Sequence, residues 1–288
     1  MSDIILGAAT QQNLLSLQQI NQNMNTTQNH LATGLKVGSA VDNAVLFFQA
    51  QSLTNRASDL TVRKSNVDQA VSSLTAATQG IQAVISILQQ MQGVLSSAKT
   101  QNATQRHSSQ TQINTLAAQL NHLVGDTSYQ GLNLVNSSIS KLSLQFSDQT
   151  SSTITVNGFN MLVSKLVTGA NAKASVFASA AVGGLNFTNA ATTGVSIFDK
   201  AYNFLNTSIA TAQANAQSLG ANISLLNVRI DFTSNYTTTL NGGSSKLTVA
   251  DVNQESTNLV TLQTRQQLAI QSLSIATQSE QAVLRLFH

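Results

Sequence analysis

The sequence predicts a mainly α fold: a long antiparallel helical bundle or coiled coil, built from the N- and C-terminal halves. A small β-hairpin and a short irregular or β outer segment are expected in the middle. Apolar residues recur at heptad spacing in both halves, and apolar and polar residues alternate only between positions 142 and 156. The 288-residue chain also contains no proline, which suits long helices because an internal proline costs about 3 kcal/mol.

The N-terminal half contains two heptad patterns and one weaker helical pattern. The first runs from Leu14 to Leu35, with Asn21 and Gln28 at seam positions. The second places an apolar residue at every seventh position over residues 53–95, which is typical of a coiled-coil seam. Residues 105–124 predict a further, less regular helix.

The C-terminal half mirrors this arrangement. Residues 198–230 alternate apolar positions by four and three, and residues 252–287 repeat the pattern near the end of the chain. Before them, residues 142–146 and 154–156 predict the two strands of a hairpin. Residues 158–194 are rich in small and polar side chains and show no period. Helices before and after a short middle predict that the two halves pack antiparallel.

The low charge favours a protein that is covered by neighbours. Charged residues make up 9% of the chain, compared with about 25% in typical domains. Each charge buried in a contact costs desolvation, so neutral side chains are easier to bury against another subunit. A Gln- and Ser-rich helical protein without assembly is the alternative that composition leaves open. The N-terminus has no lysine or arginine before its short apolar patch, so a signal peptide is not expected, and neither is a membrane-spanning helix.

The residue types predict neither an enzyme nor a cofactor site. The chain has no cysteine, and its four histidines are isolated from carboxylates at ligand spacing, so no metal site is expected. It also lacks a G-x-S-x-G motif and a phosphate-binding glycine loop. Lysine and arginine are dispersed rather than gathered in a stripe, so nucleic-acid binding is not expected.

Several segments resemble bacterial flagellins of the alphaproteobacterial type. Residues 31–53, LATGLKVGSAVDNAVLFFQAQSL, resemble the family's L-x-T-G-L-x-x-x-S-A-x-D-N region, and NRASDL follows at residues 55–60. DTSYQGLNLV at 126–135 is similar to the turn before the family's hairpin, and residues 229–287 resemble its C-terminal block. The chain departs from the pattern where Ala44 and Val45 follow Asn43, and where it ends in His288.

The resemblance implies a structural subunit that polymerises helically into the flagellar filament for swimming motility. Such a subunit is exported unfolded through the filament channel and is located outside the cell. Its implied partners are further copies of itself, the flagellar type III export apparatus, an export chaperone, the filament cap and the hook-junction proteins. The alternatives are a hook–filament junction protein and a secreted adhesin on a helical stalk.

The resemblance also implies a division into layers. Residues 1–42 with 241–288 are expected to form a terminal coiled-coil inner domain, and residues 43–157 with 195–240 a helical bundle domain with the hairpin. Residues 158–194 are expected to be a short, variable, surface-exposed segment. Connectors between the layers are assigned to Gly34, Gly38, Asp42, Gly242 and Gly243, since glycine permits backbone angles that other residues resist.

Self-assembly is assigned to the terminal helices, because an isolated pair of helices is marginal in water and buries only one face of each. The inner seams at 53–95 and 198–230 are assigned to the subunit's own core. The polar seam residues Asn21, Gln28, Gln266 and Glu280 either set the register or line a wet channel, and both interpretations stay open. The assembly residues are Leu14, Leu17, Met24, Leu31, Leu35, Leu259, Leu262, Leu273, Val283, Leu284 and Phe287. The resemblance adds candidate O-glycosylation at Ser175, Ser179, Thr188, Thr192 and Thr193.

Overall fold

The computed structural model describes residues 8–163 and 194–286. Within them the chain forms long helices and one two-stranded antiparallel sheet, which confirms the mainly α class. The helices are α1 (Ala8–Thr33), α2 (Ala40–Ala98), α3 (Ala103–Asp126), α4 (Gly194–Thr248) and α5 (Val252–Leu286), and the strands are β1 (Lys141–Gln145) and β2 (Thr153–Asn157).

The chain divides into two compact units. Unit 1 comprises Met1–Ser58 and Thr237–His288, and unit 2 comprises Asp59–Tyr236. The layers predicted from the sequence are positions within a filament. The division of a single chain into two units does not test them, so they stay a prediction.

Unit 2 contains the hydrophobic core. Heptad residues of α2 are fully buried there, together with residues of α3 and α4. Full burial of a leucine or isoleucine side chain contributes about 1.5–3 kcal/mol. The largest buried side chains of this unit are Leu74, Ile81, Met91, Leu95, Leu120, Leu134, Met161, Leu205, Leu219 and Leu226.

The predicted hairpin is present in unit 2. Leu142 lies opposite Val156 and Leu144 opposite Ile154 in the antiparallel pairing. On each strand the apolar side chains are buried or half-buried and the alternate polar ones are exposed. The alternation therefore places one face of the hairpin on the core.

Unit 1 is built around the pairing of α1 with α5. Contacts between Asn13 and Ser272 near one end, and between His30 and Glu255 near the other, show that the two helices run antiparallel. The beginning of α2 also contacts the end of α4, where the Ser244 hydroxyl donates to the Ala50 carbonyl.

The segment of Gly242 and Gly243, assigned to a connector between the layers, is helical. Both glycines lie inside α4, which continues to Thr248, and the non-helical link is residues 249–251. A Cβ on Gly243 would lie 3.4 Å from the Leu53 side chain of α2, an ordinary van der Waals contact, and a Cβ on Gly242 would meet nothing within 4 Å. Whether this segment joins two filament layers stays a prediction.

Candidate assembly surfaces

The large apolar side chains of the seam between α1 and α5 are only half-buried. Leu17, Met24 and Leu31 on α1 are each partly shielded, as are the leucines at 259, 262 and 273 on α5. Leu14 retains 40% exposure. One helix shields one side of another, so a two-helix pair leaves the edges of its own seam in water.

Polar contacts recur along this seam. The Gln266 side-chain amide donates to Oδ1 of Asn21 at 2.7 Å, in a half-buried position. Toward the chain termini, Asn13 and Ser272 are 3.5 Å apart. The direct bond between Asn21 and Gln266 favours a role in register for these two residues. Gln28 is exposed, and the side chain of Glu280 lies outside the described residues.

Two short links meet at the other end of the pair. Gly34 ends α1 with a φ of 69°, a left-handed conformation that favours glycine. Its carbonyl accepts from the N–H of Ala250, and the N–H groups of Lys36 and Val37 donate to the carbonyl of Thr248. The links after α1 and before α5 are therefore joined by backbone hydrogen bonds. Leu35, assigned to assembly, forms a β-bridge with Val249 here.

Asp42 and Asn43, the D-N pair of the motif, organise the beginning of α2. One carboxylate oxygen of Asp42 accepts from the Ser39 hydroxyl and from the N–H groups of Ser39 and Gly38, at 2.9–3.0 Å. These bonds, that of the Ser39 hydroxyl foremost, hold the pKa of Asp42 below its usual 3.8. Asn43 is non-helical, and its side chain accepts from the N–H of Leu46 at 3.0 Å. It thus caps the long part of the helix that follows.

A second apolar surface lies on the side of α5 away from α1. Val260, Leu268 and Ile275 are 62%, 61% and 62% exposed, and their spacing places them on one side of the helix. We define the outward face of α5 as Thr257, Val260, Thr261, Thr264, Leu268 and Ile275.

The threonines of the outward face need no partner from outside the helix. The hydroxyls of Thr257, Thr261 and Thr264 each donate to the backbone carbonyl four residues earlier, at 2.9–3.0 Å. A hydroxyl that is already bonded costs less to bury than one that loses its bond to water. Since the face also carries no charge, it can be covered at a low cost in desolvation.

Some predicted site residues have no described side chain. Val283 and Leu284 lie in the last turns of α5, but their surroundings are not described, and Phe287 lies outside the described residues. The five candidate O-glycosylation residues also lie outside them. Conversely, sequence analysis missed the outward face of α5, whose apolar residues are visible as a second stripe beside the heptad positions.

The described part of the chain contains no group of three or more His, Cys, Asp or Glu that could hold a metal ion. Among the helices that the structure describes, one, α2, is long and apolar enough to cross a membrane, by length and composition only. That is weak evidence, since core helices pass the same test and α2 supplies much of the core of unit 2.

Family models match both ends of the chain. Residues 6–140 match the bacterial flagellin N-terminal helical region, and residues 202–287 match the bacterial flagellin C-terminal helical region. The chain belongs to the flagellin family. Because flagellins are structural proteins, membership supports the expectation that the chain is not an enzyme.

Similar flagellins come from Rhizobium and Caulobacter, in agreement with the alphaproteobacterial type. Flagellin A of Rhizobium meliloti (strain 1021) is 47% identical over 72 residues, 25% of this chain and 18% of that protein. Flagellin D of Rhizobium meliloti is 36% identical over 120 residues, 42% and 30% of the two chains. Flagellin FljM of Caulobacter vibrioides is 39% identical over 83 residues, 29% and 30% of the two chains.

The matched segments thus span less than a third of the length of these relatives. Among solved structures, the crystal structure of Bacillus cereus flagellin has a TM-score of 0.46 and 18% sequence identity. That match covers 58% of this flagellin and 88% of the other chain.

Proposed function

We propose that this flagellin is the structural subunit of an extracellular flagellar filament, which it builds by helical polymerisation and which serves swimming motility. The observation that carries the proposal is the outward face of α5. It exposes three large apolar side chains on the same side of the helix as threonines whose hydroxyls are already bonded. Exposure of apolar side chains to water is unfavourable, and contact with another copy of the chain would bury them.

A further copy is the occupant that the charge pattern fits best. The outward face is uncharged, and only 9% of the whole chain is charged. A partner with a charged surface would lose the hydration of its charges against this face without gaining opposite charges in return. A copy of the same chain offers matching neutral surface.

The remaining parts of the proposal follow from family membership. The subunit would leave the cell unfolded by the flagellar type III export apparatus with an export chaperone, and fold at the growing tip beneath the filament cap. Residues 1–42 with 241–288 would form the inner layer, and residues 43–157 with 195–240 the outer layer. The first subunits would join the hook-junction proteins. Exposed residues between positions 158 and 194 would be the sites of any O-glycosylation.

Reassembly of the purified chain tests the proposal. Filaments are depolymerised by heat or acid, salt or seeds are added, and electron microscopy follows their regrowth. Long filaments from this chain alone are expected. A junction protein or a stalk adhesin would instead form no filament or only short oligomers.

The variant Leu268→Gln tests the outward face directly. Loss of one buried leucine per contact costs about 1.5–3 kcal/mol, so the concentration needed for polymerisation should rise about tenfold or more. Ile139→Gln is the matched control, because Ile139 is 84% exposed and lies outside the helices. If the two variants polymerise at the same concentration, the outward face is not part of the assembly surface.

A further inference from the structure

One turn of α4, residues 241–245 with the sequence Asn-Gly-Gly-Ser-Ser, consists of weak helix formers. Glycine disfavours a helix more than any residue except proline, and asparagine and serine also form helices less readily than alanine. The turn is nonetheless helical in the structure. Because local preference opposes the helix here, contacts with other parts of the chain are needed to maintain it.

Apolar burial contributes little to the stability of this turn. Leu240, just before it, is buried, and the next large apolar side chain is Leu247, which is half-buried. Every residue between these two leucines is small or polar, and Asn241, Gly242 and Ser245 are exposed. Most helices in proteins are stabilised by the packing of an apolar face. The turn at 241–245 lacks such a face of its own.

The side chain of Ser244 joins the turn to α2. Its hydroxyl donates to the Ala50 carbonyl at 3.1 Å and lies 3.0 Å from the hydroxyl of Thr54. Ser244 is half-buried, and these contacts lie within unit 1. A hydrogen bond in such a position favours the folded arrangement modestly, by a factor of about two to ten. Ser244 therefore supplies part of the support that the sequence of the turn does not.

The turn lies between two anchored points. Leu240 is buried before it, and after it the carbonyl of Thr248 accepts from the N–H groups of Lys36 and Val37. A change of backbone angles can therefore be confined to the residues between Leu240 and Thr248. Hinges in proteins are generally a few such residues, often small ones, that absorb a change in backbone angles.

We propose that residues 241–245 form a hinge in α4, which Ser244 keeps closed through its contact with α2. In the closed state the turn is helical, as it is in the structure. In the open state Ser244 has left Ala50 and Thr54, and the two glycines adopt angles outside the helix, which glycine does more readily than other residues. The hinge is a property of one chain and does not depend on the proposed function.

Hydrogen exchange of the full-length, unpolymerised chain tests the hinge. Opening exposes the amides of residues 242–248, because each helical N–H bonds to the carbonyl four residues earlier. The reference is the segment 50–56 of α2, which contains the partners of Ser244 and belongs to the same unit. We expect protection of 242–248 to be lower than that of the reference by about tenfold or more. Equal protection of the two segments would overturn the proposal.

Two serine variants separate the contact with α2 from helix preference. Ser244→Ala and Ser245→Ala introduce the same better helix former, but Ser245 is exposed whereas Ser244 bonds to α2. Protection of residues 242–248 should fall about two- to fivefold in Ser244→Ala and rise about twofold in Ser245→Ala. A rise in both variants would refute the role of Ser244.

Replacement of both glycines tests whether the turn itself is the hinge. Gly242→Ala combined with Gly243→Ala should raise protection of residues 242–248 by about tenfold or more, because alanine favours the helix at both positions. Space for the added Cβ atoms is present at both glycines. Unchanged protection in this double variant would show that residues 242–248 do not exchange through a hinge at the glycines.

Discussion

The heptad residues of unit 2 and those of unit 1 follow the same spacing rule but reach very different burial. Leu74, Leu219 and Leu226 in unit 2 are 0% exposed, whereas the leucine and methionine side chains described in the seam of α1 and α5 are half-buried or exposed. In unit 2 the seams face further helices and the hairpin, and in unit 1 each terminal helix pairs with one other. The number of neighbouring elements, not the repeat, decides whether one chain can complete its own core.

The largest expected effect comes from truncating the buried seam. Leu219→Ala should lower the free energy of unfolding of the unpolymerised chain by about 2–5 kcal/mol, because it leaves a cavity in a closed core. Leu273→Ala, in the half-buried seam, should cost less than half as much. Urea denaturation measures both. Equal losses would mean that the two seams are equally buried in solution.

A pair of glycines sharpens the comparison. A Cβ on Gly80 of α2 would collide with the side chain of Thr127, whereas a Cβ on Gly242 of α4 would meet no atom within 4 Å. Gly80→Ala should destabilise the chain by about 1–3 kcal/mol through overpacking. Gly242→Ala should stabilise it by about 0.5–1 kcal/mol, since alanine is the better helix former. Thermal unfolding measures both changes in stability. Changes of the same sign would contradict the difference in packing around the two glycines.

Asn43→Ala tests the cap within unit 1. Loss of the bond to the N–H of Leu46 should cost about 0.5–2 kcal/mol, in the range of other N-caps. Because the cap belongs to unit 1, the loss should appear as faster hydrogen exchange in the first turns of α2 and leave the core of unit 2 unchanged. Faster exchange throughout unit 2 would show that the two units unfold together.

The smallest expected effect is the acid response of the turn before α2. Bonds from Ser39 and Gly38 lower the pKa of Asp42 below its usual 3.8. The ionised carboxylate therefore stabilises the turn fully at pH values above 3.8. That contribution disappears as the pH falls from 3.8 through the lowered value. Asp42→Asn should flatten this acid limb in exchange measurements on residues 38–42. If exchange in Asp42→Asn depends on acid pH as it does in the natural chain, other carboxylates cause the acid response.

The sequence predicted the helices and the hairpin well, because periodicity reports directly which side of an element is apolar. It did not show that Gly242 and Gly243 lie inside α4, since glycine is found both in turns and, at some cost, in helices. The D-N pair was recognised as a motif, but its capping role depends on backbone angles at Asn43 that no pattern specifies.

The pairing of α1 with α5 was predicted, but its register was not. A seam that repeats every seven residues keeps its apolar contacts when one helix shifts by a heptad, so the apolar residues alone permit several registers. The polar contacts of Asn21 with Gln266 and of His30 with Glu255 distinguish one register from the others. The two residues of each contact lie 245 and 225 positions apart in the chain, and a single sequence does not indicate that they meet.

The central claim is that one chain leaves its terminal pair incomplete and that neighbouring copies complete it. Hydrogen exchange at residues 11–20 and 270–278, in the free chain and in polymer, tests this most directly. We expect rapid exchange in the free chain, with order increasing toward the links, and strong protection in the polymer. Amides in the core of unit 2 should be protected equally in both. Strong protection at Leu14 and Leu273 in the dilute free chain would contradict the account.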